Sequence, residues 1–498
     1  MAGSIKFSPN PLDLQIKDVR LIKFDGSDPI SILSQTLEIN IYQSLFSPLM
    51  KATIFVGDFI GLYTNYPLLG EEIVEITIEP TMEDPNTRPD IANLDKYELT
   101  RRKEVLRFFI SEARNISVDD SGRAAAYILE LYSEEMLENG RTRVQRAYKG
   151  RYDQLIEEVI RKDLNSKKLF LGFTPDGEPE PTRGVQIGNV PNLRPIETIK
   201  WFTGRSVADL VDSVFFVFFE RFEGFYFSTV QQIIKKFKNL SKSVEPLKYY
   251  YISTFTQETL KKNNEANFNE HYFITALKVN KRFSTYEKLI GGYFENELQE
   301  IDITNFSVKS RRSYLNTNPF YSLGSSVYNS KGFINKMQNP EGDINSKTSR
   351  IRYTVTQNNS DGDYANNPND FGDKFGEAVR TQLSFSQVFV TVAVPGDTRL
   401  QPGEVIEIVI PENHGFDEIK DDKFISGYFL VTNVKHGIRN DGKYVCTLDL
   451  FKDSYLESVD ENNKSLYNKG TSLGGANYNS SPSVTTNFQP YSNSPSNK

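Results

Sequence analysis

The sequence is short of the residues that most often mark chemistry. Its 498 positions include one cysteine, Cys446, one tryptophan, and three histidines, His271, His414 and His436. A single cysteine excludes a disulfide within the chain and any cysteine-rich metal site. No two histidines stand at a metal-ligand spacing, and neither HExxH, CxxC nor a two-histidine, one-carboxylate set can be assembled from sequence neighbours. Walker and GxGxxG loops are absent as well, so no cofactor and no metal are expected. Positive charge is also in deficit. Lys and Arg number 58 against 65 Asp and Glu, a formal net charge of −7, where general nucleic-acid or anionic-membrane binding needs concentrated cations. The most apolar window, VDSVFFVFFERFEGFYFSTV, is interrupted by Asp212, Glu220, Arg221 and Glu223 and does not read as a membrane span. The start, MAGSIKFSPNPLDL, lacks the apolar core of a signal peptide. The expectation is a soluble product made in the cytoplasm.

What is present reads as β-structure. LSFSQVFVTVAVPGDTRLQPGEVIEIVIP, residues 383–411, holds two strand-like runs set off by turns at Pro395-Gly396 and Pro402-Gly403. Tyr428, Leu430, Thr432, Val434 and His436 then alternate with Phe429, Val431, Asn433 and Lys435. Beyond a loop ending in Asp441-Gly442, Tyr444, Cys446, Leu448 and Leu450 alternate with Val445, Thr447, Asp449 and Phe451. Period-two patterning on both sides of an Asp-Gly loop predicts a hairpin. Cys446 reads there as a buried small hydrophobe. His436, on the face of Val434, reads as a packed or hydrogen-bonded histidine and not as a general base.

Residues 12–137 are also mostly β in pattern, and they repeat the later stretch. Glu72-Ile-Val-Glu-Ile-Thr-Ile78 resembles Glu404-Val-Ile-Glu-Ile-Val-Ile410. Phe108 to Gly122 can be laid on Tyr428 to Gly442 without a gap, so that Phe108 meets Tyr428 and Ile110 meets Leu430. A hairpin is expected around Asp120-Ser121-Gly122. Two copies this far apart predict two related domains rather than a solenoid. Between them the period changes. Gly150 to Leu171 is helical, with Leu155, Ile156, Val159 and Ile160 on one side. Ser206-Val-Ala-Asp209 has the form of a capping box opening a short helix. Val214 to Phe219 and Phe225 to Phe227 predict an aromatic hairpin that must be buried or covered by a partner. Ile301 to Val308 alternates again and is expected to begin the second β domain. Residues 312–375, rich in Asn, Ser, Gly, Asp and Tyr, read as a long surface insertion, and 457–498 as a disordered Asn/Ser-rich tail.

Carboxylates are plentiful but poorly placed for catalysis. A glycosidase needs two across a cleft, one of them desolvated. Glu71/Glu72, Glu134/Glu135 and Asp421/Asp422 are adjacent in sequence, which on a strand sends them to opposite faces, so solvated surface is expected. Arg101-Arg102-Lys103 and Lys235-Lys236-Phe-Lys238 read as solvated or ion-pairing faces.

The order of motifs carries a resemblance. Pro402-Gly403-Glu-Val-Ile-Glu-Ile408 is followed by Gly427-Tyr428-Phe-Leu-Val431, then Val434-x-His436, then Gly442-Lys-Tyr444-x-x-x-Leu448. With the lead-in Glu377-Ala-Val-Arg380 and Leu383-Ser-Phe-Ser-Gln387, this resembles the closing barrel of contractile-tail hub proteins. These are the central baseplate hub of myovirus-type phages and the first half of the VgrG spike of type VI secretion. The resemblance extends over residues 12–456. It implies a mainly β chain with an α+β insertion: a tube-like β-barrel domain at 1–137, a mixed domain at 138–265, and a second barrel at 266–456 interrupted by the 312–375 insertion. Pro402, Gly403, Gly427, Tyr428, Val431, Val434, His436, Gly442, Tyr444 and Leu448 would be its structural signature. It further implies a homotrimer presenting six similar barrels in a pseudo-sixfold ring, non-enzymatic, in the virion tail baseplate and assembled in the host cytoplasm. The expected partners are a tail tube or tube-initiator protein, a tape-measure protein, and baseplate wedge proteins met through 312–375. No lysozyme, OB-fold or spike sequence follows residue 456, so the central spike is expected as a separate chain. Two other readings stand beside it: a tail-associated glycan or peptidoglycan hydrolase using a carboxylate pair, and a module binding host glycans through its tyrosines.

Overall fold

A computed structural model describes residues 14–23, 29–62, 66, 68–80, 104–118, 124–211, 213–241, 246–251, 273–281, 283–302, 306–314, 323, 326–327, 350–356, 371–384, 388–410, 422 and 425–455. The expected turn at Asp120-Ser121-Gly122, the Arg101-Arg102-Lys103 cluster, His271, His414, most of 315–370 and the 457–498 tail lie outside them.

The first part of the chain forms β1 (Leu14–Ile22), β2 (Ile30–Ser31), β3 (Thr36–Ser44), β4 (Lys51–Asp58), β5 (Ile73–Pro80), β6 (Glu104–Val118) and β7 (Ala125–Ser133). The middle holds α1 (Glu135–Arg141), β8 (Ala147–Gly150), α2 (Tyr152–Glu158, running on as a π turn to Asp163), β9 (Leu169–Leu171) and β10 (Gln186–Asn189). It continues through α3 (Pro195–Thr203), β11 (Phe216–Glu220), β12 (Gly224–Thr229), α4 (Val230–Leu240) and β13 (Lys248–Tyr250). The last part contains β14 (Ala276–Lys281), α5 (Thr285–Gly291), β15 (Glu295–Asp302), β16 (Ser307–Tyr314), β17 (Ser326–Val327), β18 (Ile351–Thr356) and α6 (Phe371–Ser384). It closes with β19 (Val388–Pro395), β20 (Val405–Val409), β21 (Gly427–Arg439), β22 (Tyr444–Lys452) and β23 (Ser454–Tyr455).

The architecture is mostly β and dominated by one large sheet in which a five-strand order occurs twice. β3-β4-β7-β6-β5 in the first part matches β14-β19-β22-β21-β20 in the last, and the two sets join where β21 pairs with β3. Pairing registers show which residues correspond. Val74 faces Phe108 across β5–β6 as Ile406 faces Phe429 across β20–β21. Ile110 faces Leu131 as Val431 faces Leu450, and Ile54 faces Leu129 as Val392 faces Leu448. These residues are all buried in one continuous core that runs through both sets.

The pairing corrects the gapless alignment by one residue: Phe108 corresponds to Phe429 and Ile110 to Val431, not to Tyr428 and Leu430. The slip does not come from the β-bulge that both long strands carry at equivalent places, Ser111 in β6 and Thr432 in β21, where the register shifts; it comes from a further extra residue in β6 alone. A bulge reverses which side chains face inward. Phe429 and Val431 face the main core before Thr432, and Val434 and Ile438 face it afterwards, while Leu430 turns to a second core with Val405. The single alternating face expected from Tyr428 to His436 therefore changes sides midway. β6 takes up another residue between Arg114 and Ser117, around Asn115 with φ +53°, which returns the two strands to the sequence alignment near their far ends.

Three other expectations change. Ser206 to Asp209 does not open a helix. Ser206 Oγ donates back to the Phe202 carbonyl at 2.9 Å, beyond the end of α3, and Ala208 bridges to Thr182. The helix of this region is α3, begun by Pro195 at its first turn and by Glu197, which accepts from the Arg194 N–H at 2.9 Å. Ile301-Asp302 and Ser307-Val308 belong to a separate sheet, where β15 pairs antiparallel with β16 and parallel with β18. The second strand set begins earlier, at β14. Within 312–375, the end of β16, β17, β18 and the start of α6 are regular elements.

The inward parity of β21 can be tested by truncation. Phe429→Ala should lower the unfolding free energy by about 3–5 kcal/mol, and Phe108→Ala by a similar amount, while Tyr428→Ala should cost less. Urea unfolding midpoints of the three variants check this, and a larger loss at Tyr428 than at Phe429 would refute the assigned face.

Candidate functional site

The middle of the chain is built on the aromatic hairpin, whose residues are buried on both faces. Phe216, Phe218, Phe225 and Phe227 pack into the core made with α2 and α3, and Val217, Phe219 and Tyr226 into the core shared with Val405 and Leu430. Ring pairs across the hairpin, such as Phe216–Phe227 at 4.6 Å between centroids, stack. Burial on both sides accounts for an apolar run without alternation.

The tip of this hairpin holds both strand sets. Glu220 Oε2 accepts from the Met50 N–H at 2.7 Å and from Ser133 Oγ at 2.6 Å, at the ends of β4 and β7. Its other oxygen meets Lys168 Nζ, which also donates to Glu135 at 2.7 Å; Ser166 donates to Glu135 too. The next residue, Arg221, turns to the second set. Its guanidinium donates to the Pro402 carbonyl and, at 2.9 Å, to Glu404. It also lies over the Phe173 and Tyr226 rings at 4.8 and 4.6 Å. Burial pushes the Glu220 carboxyl up, with Lys168 pulling the other way. Burial works against charge on Lys168 and on Arg221, but Glu220 and Glu135, and Glu404 in turn, outweigh it and hold both above their ordinary values. The arrangement is a pair of charge-assisted joints anchored by consecutive residues.

At the seam between the sets, β21 and β3 pair from Asn433↔Ser44 to Arg439↔Glu38. His436 is fully buried there. Its Nδ1 lies 2.9 Å from Tyr444 Oη and 3.3 Å from Cys446 Sγ, and its Nε2 lies 3.4 Å from Gln43 Oε1. A carbonyl acceptor at Nε2 assigns the proton to that nitrogen, leaving Nδ1 to accept from the tyrosine hydroxyl. Phe222 covers the ring at 5.0 Å. Burial drives the His436 pKa down to about 3, against a weaker pull from Asp397. The residue is thus a neutral hydrogen-bonding post, as its strand pattern suggested, and Cys446 is buried beside it.

Of the other residues expected as a signature, Pro402, Gly403 and Tyr444 lie at these joints, and the rest lie in the second strand set. Pro402 supplies the carbonyl that Arg221 grips. Gly403, at φ +86°, leaves room for that side chain; an added Cβ would come within 3.0 Å of its guanidinium and 2.8 Å of the Phe173 ring. Gly427 opens β21 opposite Ile408, Tyr428 packs edge-on to Phe237, and Val431, Val434 and Leu448 lie in the main core. Gly442, at φ +83°, turns the chain towards Tyr444. The Tyr444 ring occupies the space a Cβ on Gly396 would need, 2.0 Å away.

Sequence reading missed the burial of the carboxylates. Glu72 accepts two backbone N–H groups, from Leu69 and Gly70, and is 1% exposed; Glu135 is 6% exposed. Neither is the solvated surface group expected. The neighbours that engage them come from distant strands and loops, so adjacency to Glu71 and Glu134 carried no signal. Lys235, Lys236 and Lys238 are half-buried along α4, and Lys236 lies over Phe173 at 4.9 Å. Among the described residues no group of three or more His, Cys, Asp or Glu is placed to hold a metal, and no helix is long and apolar enough to cross a membrane. A G-x-S-x-G stretch, Gly470 to Gly474, occurs in the tail outside the described residues, preceded by polar, low-complexity sequence.

Two variants probe these joints. Lys168→Met leaves two buried carboxylates uncompensated and should cost about 3–5 kcal/mol. That loss should shrink on acidification, because burial raises the Glu220 carboxyl in the folded state, so that it takes up a proton there before it does in the unfolded chain. Chemical denaturation at pH 5 and pH 8 reads both effects. His436 has the opposite sign. Its folded value lies below that of the unfolded chain, so its contribution is complete above about pH 6.5 and falls by about 1.4 kcal/mol per pH unit below it. His436→Leu should flatten that part of the stability–pH curve, and an unchanged slope would show that His436 is protonated in the fold.

No family model and no curated protein matches the chain. Solved structures do. The tail protein from Neisseria meningitidis MC58 aligns over 88% of this chain and 96% of its own, at 11% identity and a TM-score of 0.47. The 43 kDa tail protein of prophage MuSo2 from Shewanella oneidensis aligns over 88% and 97%, at 9% identity and 0.44. An E. coli component of the type VI secretion system, described as structurally similar to T4 bacteriophage tail proteins gp27 and gp5, aligns over 89% and 77%, at 10% and 0.37. In these alignments the chain is similar to a tail protein, a prophage tail protein and a type VI secretion component.

Proposed function

We propose that this chain is the structural hub of a contractile-tail baseplate. In this reading three copies assemble, and their six tube-like barrels, two per chain and each built on one five-strand set, stand in a pseudo-sixfold ring. The ring adapts a sixfold tail tube or tube-initiator protein to a threefold central spike carried on a separate chain. Its lumen passes the tape-measure protein and DNA, and wedge proteins meet it through 312–375. The role is mechanical and not catalytic, and its place is the virion tail.

The observation that carries this reading is the repeated strand order joined edge to edge by β21 and β3. A chain holding two like units can stand at the boundary between threefold and sixfold symmetry, because each chain occupies two positions of the sixfold ring. The Glu220–Arg221 joints fit the same role, since they hold the two units against one middle element. The buried carboxylates are engaged by Lys168, by hydroxyls and by backbone N–H groups rather than facing each other across a cleft.

Light scattering followed by negative-stain imaging tests the proposal. The expected particle is a threefold ring with an open centre and six similar lobes, formed by the chain alone or on addition of its spike. A monomer in both conditions would overturn the hub reading in favour of the hydrolase or glycan-binding alternatives.

A further inference from the structure

The repeated strand order leaves one joint unmade. Within the chain, the long strand β21 uses one edge for two partners: its first residues pair with β20 and its far half, Asn433 to Arg439, pairs with β3. The corresponding strand β6 pairs with β5 through Glu104–Phe109 and with β7 along its other edge. Among the described residues no strand pairs with the far half of β6 on the edge that β21 gives to β3. The counterpart of β3 is β14, which pairs with β19 on one edge and stands at the end of the sheet on the other. One chain therefore carries both halves of a joint it has already made once internally, and the halves sit at different places.

Burial tells the same story residue by residue. Ile41, paired with His436 at the β3–β21 joint, is fully buried, whereas its counterpart Val279 in β14 is 40% exposed. Ile438 is 4% exposed, and its counterpart Val118 is 58% exposed, with Ile116 beside it at 43%. Apolar side chains sealed at the internal seam are bare at the two free edges. Exposed edge strands are templates for pairing with another chain. Two different edges that complement each other make a head-to-tail contact, which closes into a ring when the rotation permits.

The geometry points to a second copy of this chain as the occupant: the outer edge of β14 in one chain pairs antiparallel with the far half of β6 in the next, repeating the β3–β21 joint between subunits. Carrying over the internal register, in which Ile438 faces Ile39 and Gly437 faces Asn40, places Leu277 opposite the neighbour's Val118 and Lys278 opposite its Ser117. This assignment deepens the hub reading and rests on it for the number of copies that close the ring.

Cysteine pairing tests the register in the full chain, with the spike added if assembly needs it. The native Cys446 is buried and leaves a clean background. The double variant Leu277→Cys, Val118→Cys should form covalent oligomers up to the closed ring on mild oxidation. Lys278→Cys, Val118→Cys, one residue out of register, should cross-link at least tenfold more slowly. Val118→Asp, at a site exposed in the single chain, should leave thermal unfolding of the monomer unchanged while shifting the mass distribution towards monomer. A threefold particle that neither cross-links through Leu277 and Val118 nor responds to Val118→Asp would overturn this interface and leave the hub reading intact. A chain that remains monomeric with and without its spike would overturn both.

Discussion

Burying charge at the tip of an aromatic hairpin constrains this molecule more than any other feature. Glu220 and Arg221 are neighbours in sequence and both lie out of water, so each must be met by partners in good geometry or the fold loses several kcal/mol. Glu220 finds its partners at the ends of β4 and β7 and in Lys168, and Arg221 finds its own at Pro402 and Glu404. Consecutive residues leave little slack between two such sets of bonds. The positions of the two strand sets relative to the hairpin follow from that requirement, and so does Gly403, where a side chain would displace the arginine.

The seam between the strand sets uses a different device. Its backbone pairing is continuous with the sheet, and its side chains place one buried histidine among Tyr444, Cys446 and Gln43. A neutral imidazole can give one hydrogen bond and take another, which suits a site with a hydroxyl on one side and an amide oxygen on the other. The main core passes beneath this seam without a break, so the two sets behave as one packed body. Equivalent residues nevertheless differ sharply in exposure between the sets, as Ile438 and Val118 do. The chain is symmetric in strand order and asymmetric in what covers its edges.

Much of the strand content was legible because β-structure with a covered face writes itself in period two. β21 and β22, β5 and β20, and the hairpin β11–β12 could be read from their residues, and the repeat emerged from comparing them. The one-residue error in the alignment arose in β6 between Arg114 and Ser117, where that strand alone takes up a second extra residue. A single extra residue also reverses inward parity, as at Ser111 and Thr432, yet Ser and Thr are ordinary strand residues, and only the pairing with the opposite strand reveals the insertion. Ser206 to Asp209 misled for a related reason. The capping pattern was present, but the hydroxyl serves the helix that precedes it, and α3 had its own signals in Pro195 and Glu197.

The sequence by itself determined that the chain is mostly β, that a segment pattern occurs twice, that Cys446 and His436 belong to a strand, and that the Phe-rich hairpin must be covered. These follow from local periodicity and composition, which act over a few residues. Tertiary structure alone decided that Glu72, Glu135 and Glu220 are buried, that Arg221 grips a carbonyl 181 positions away, and that β21 rather than another strand borders β3. Such outcomes depend on which distant groups arrive beside a side chain. The desolvation that makes them consequential exists only once the chain has packed.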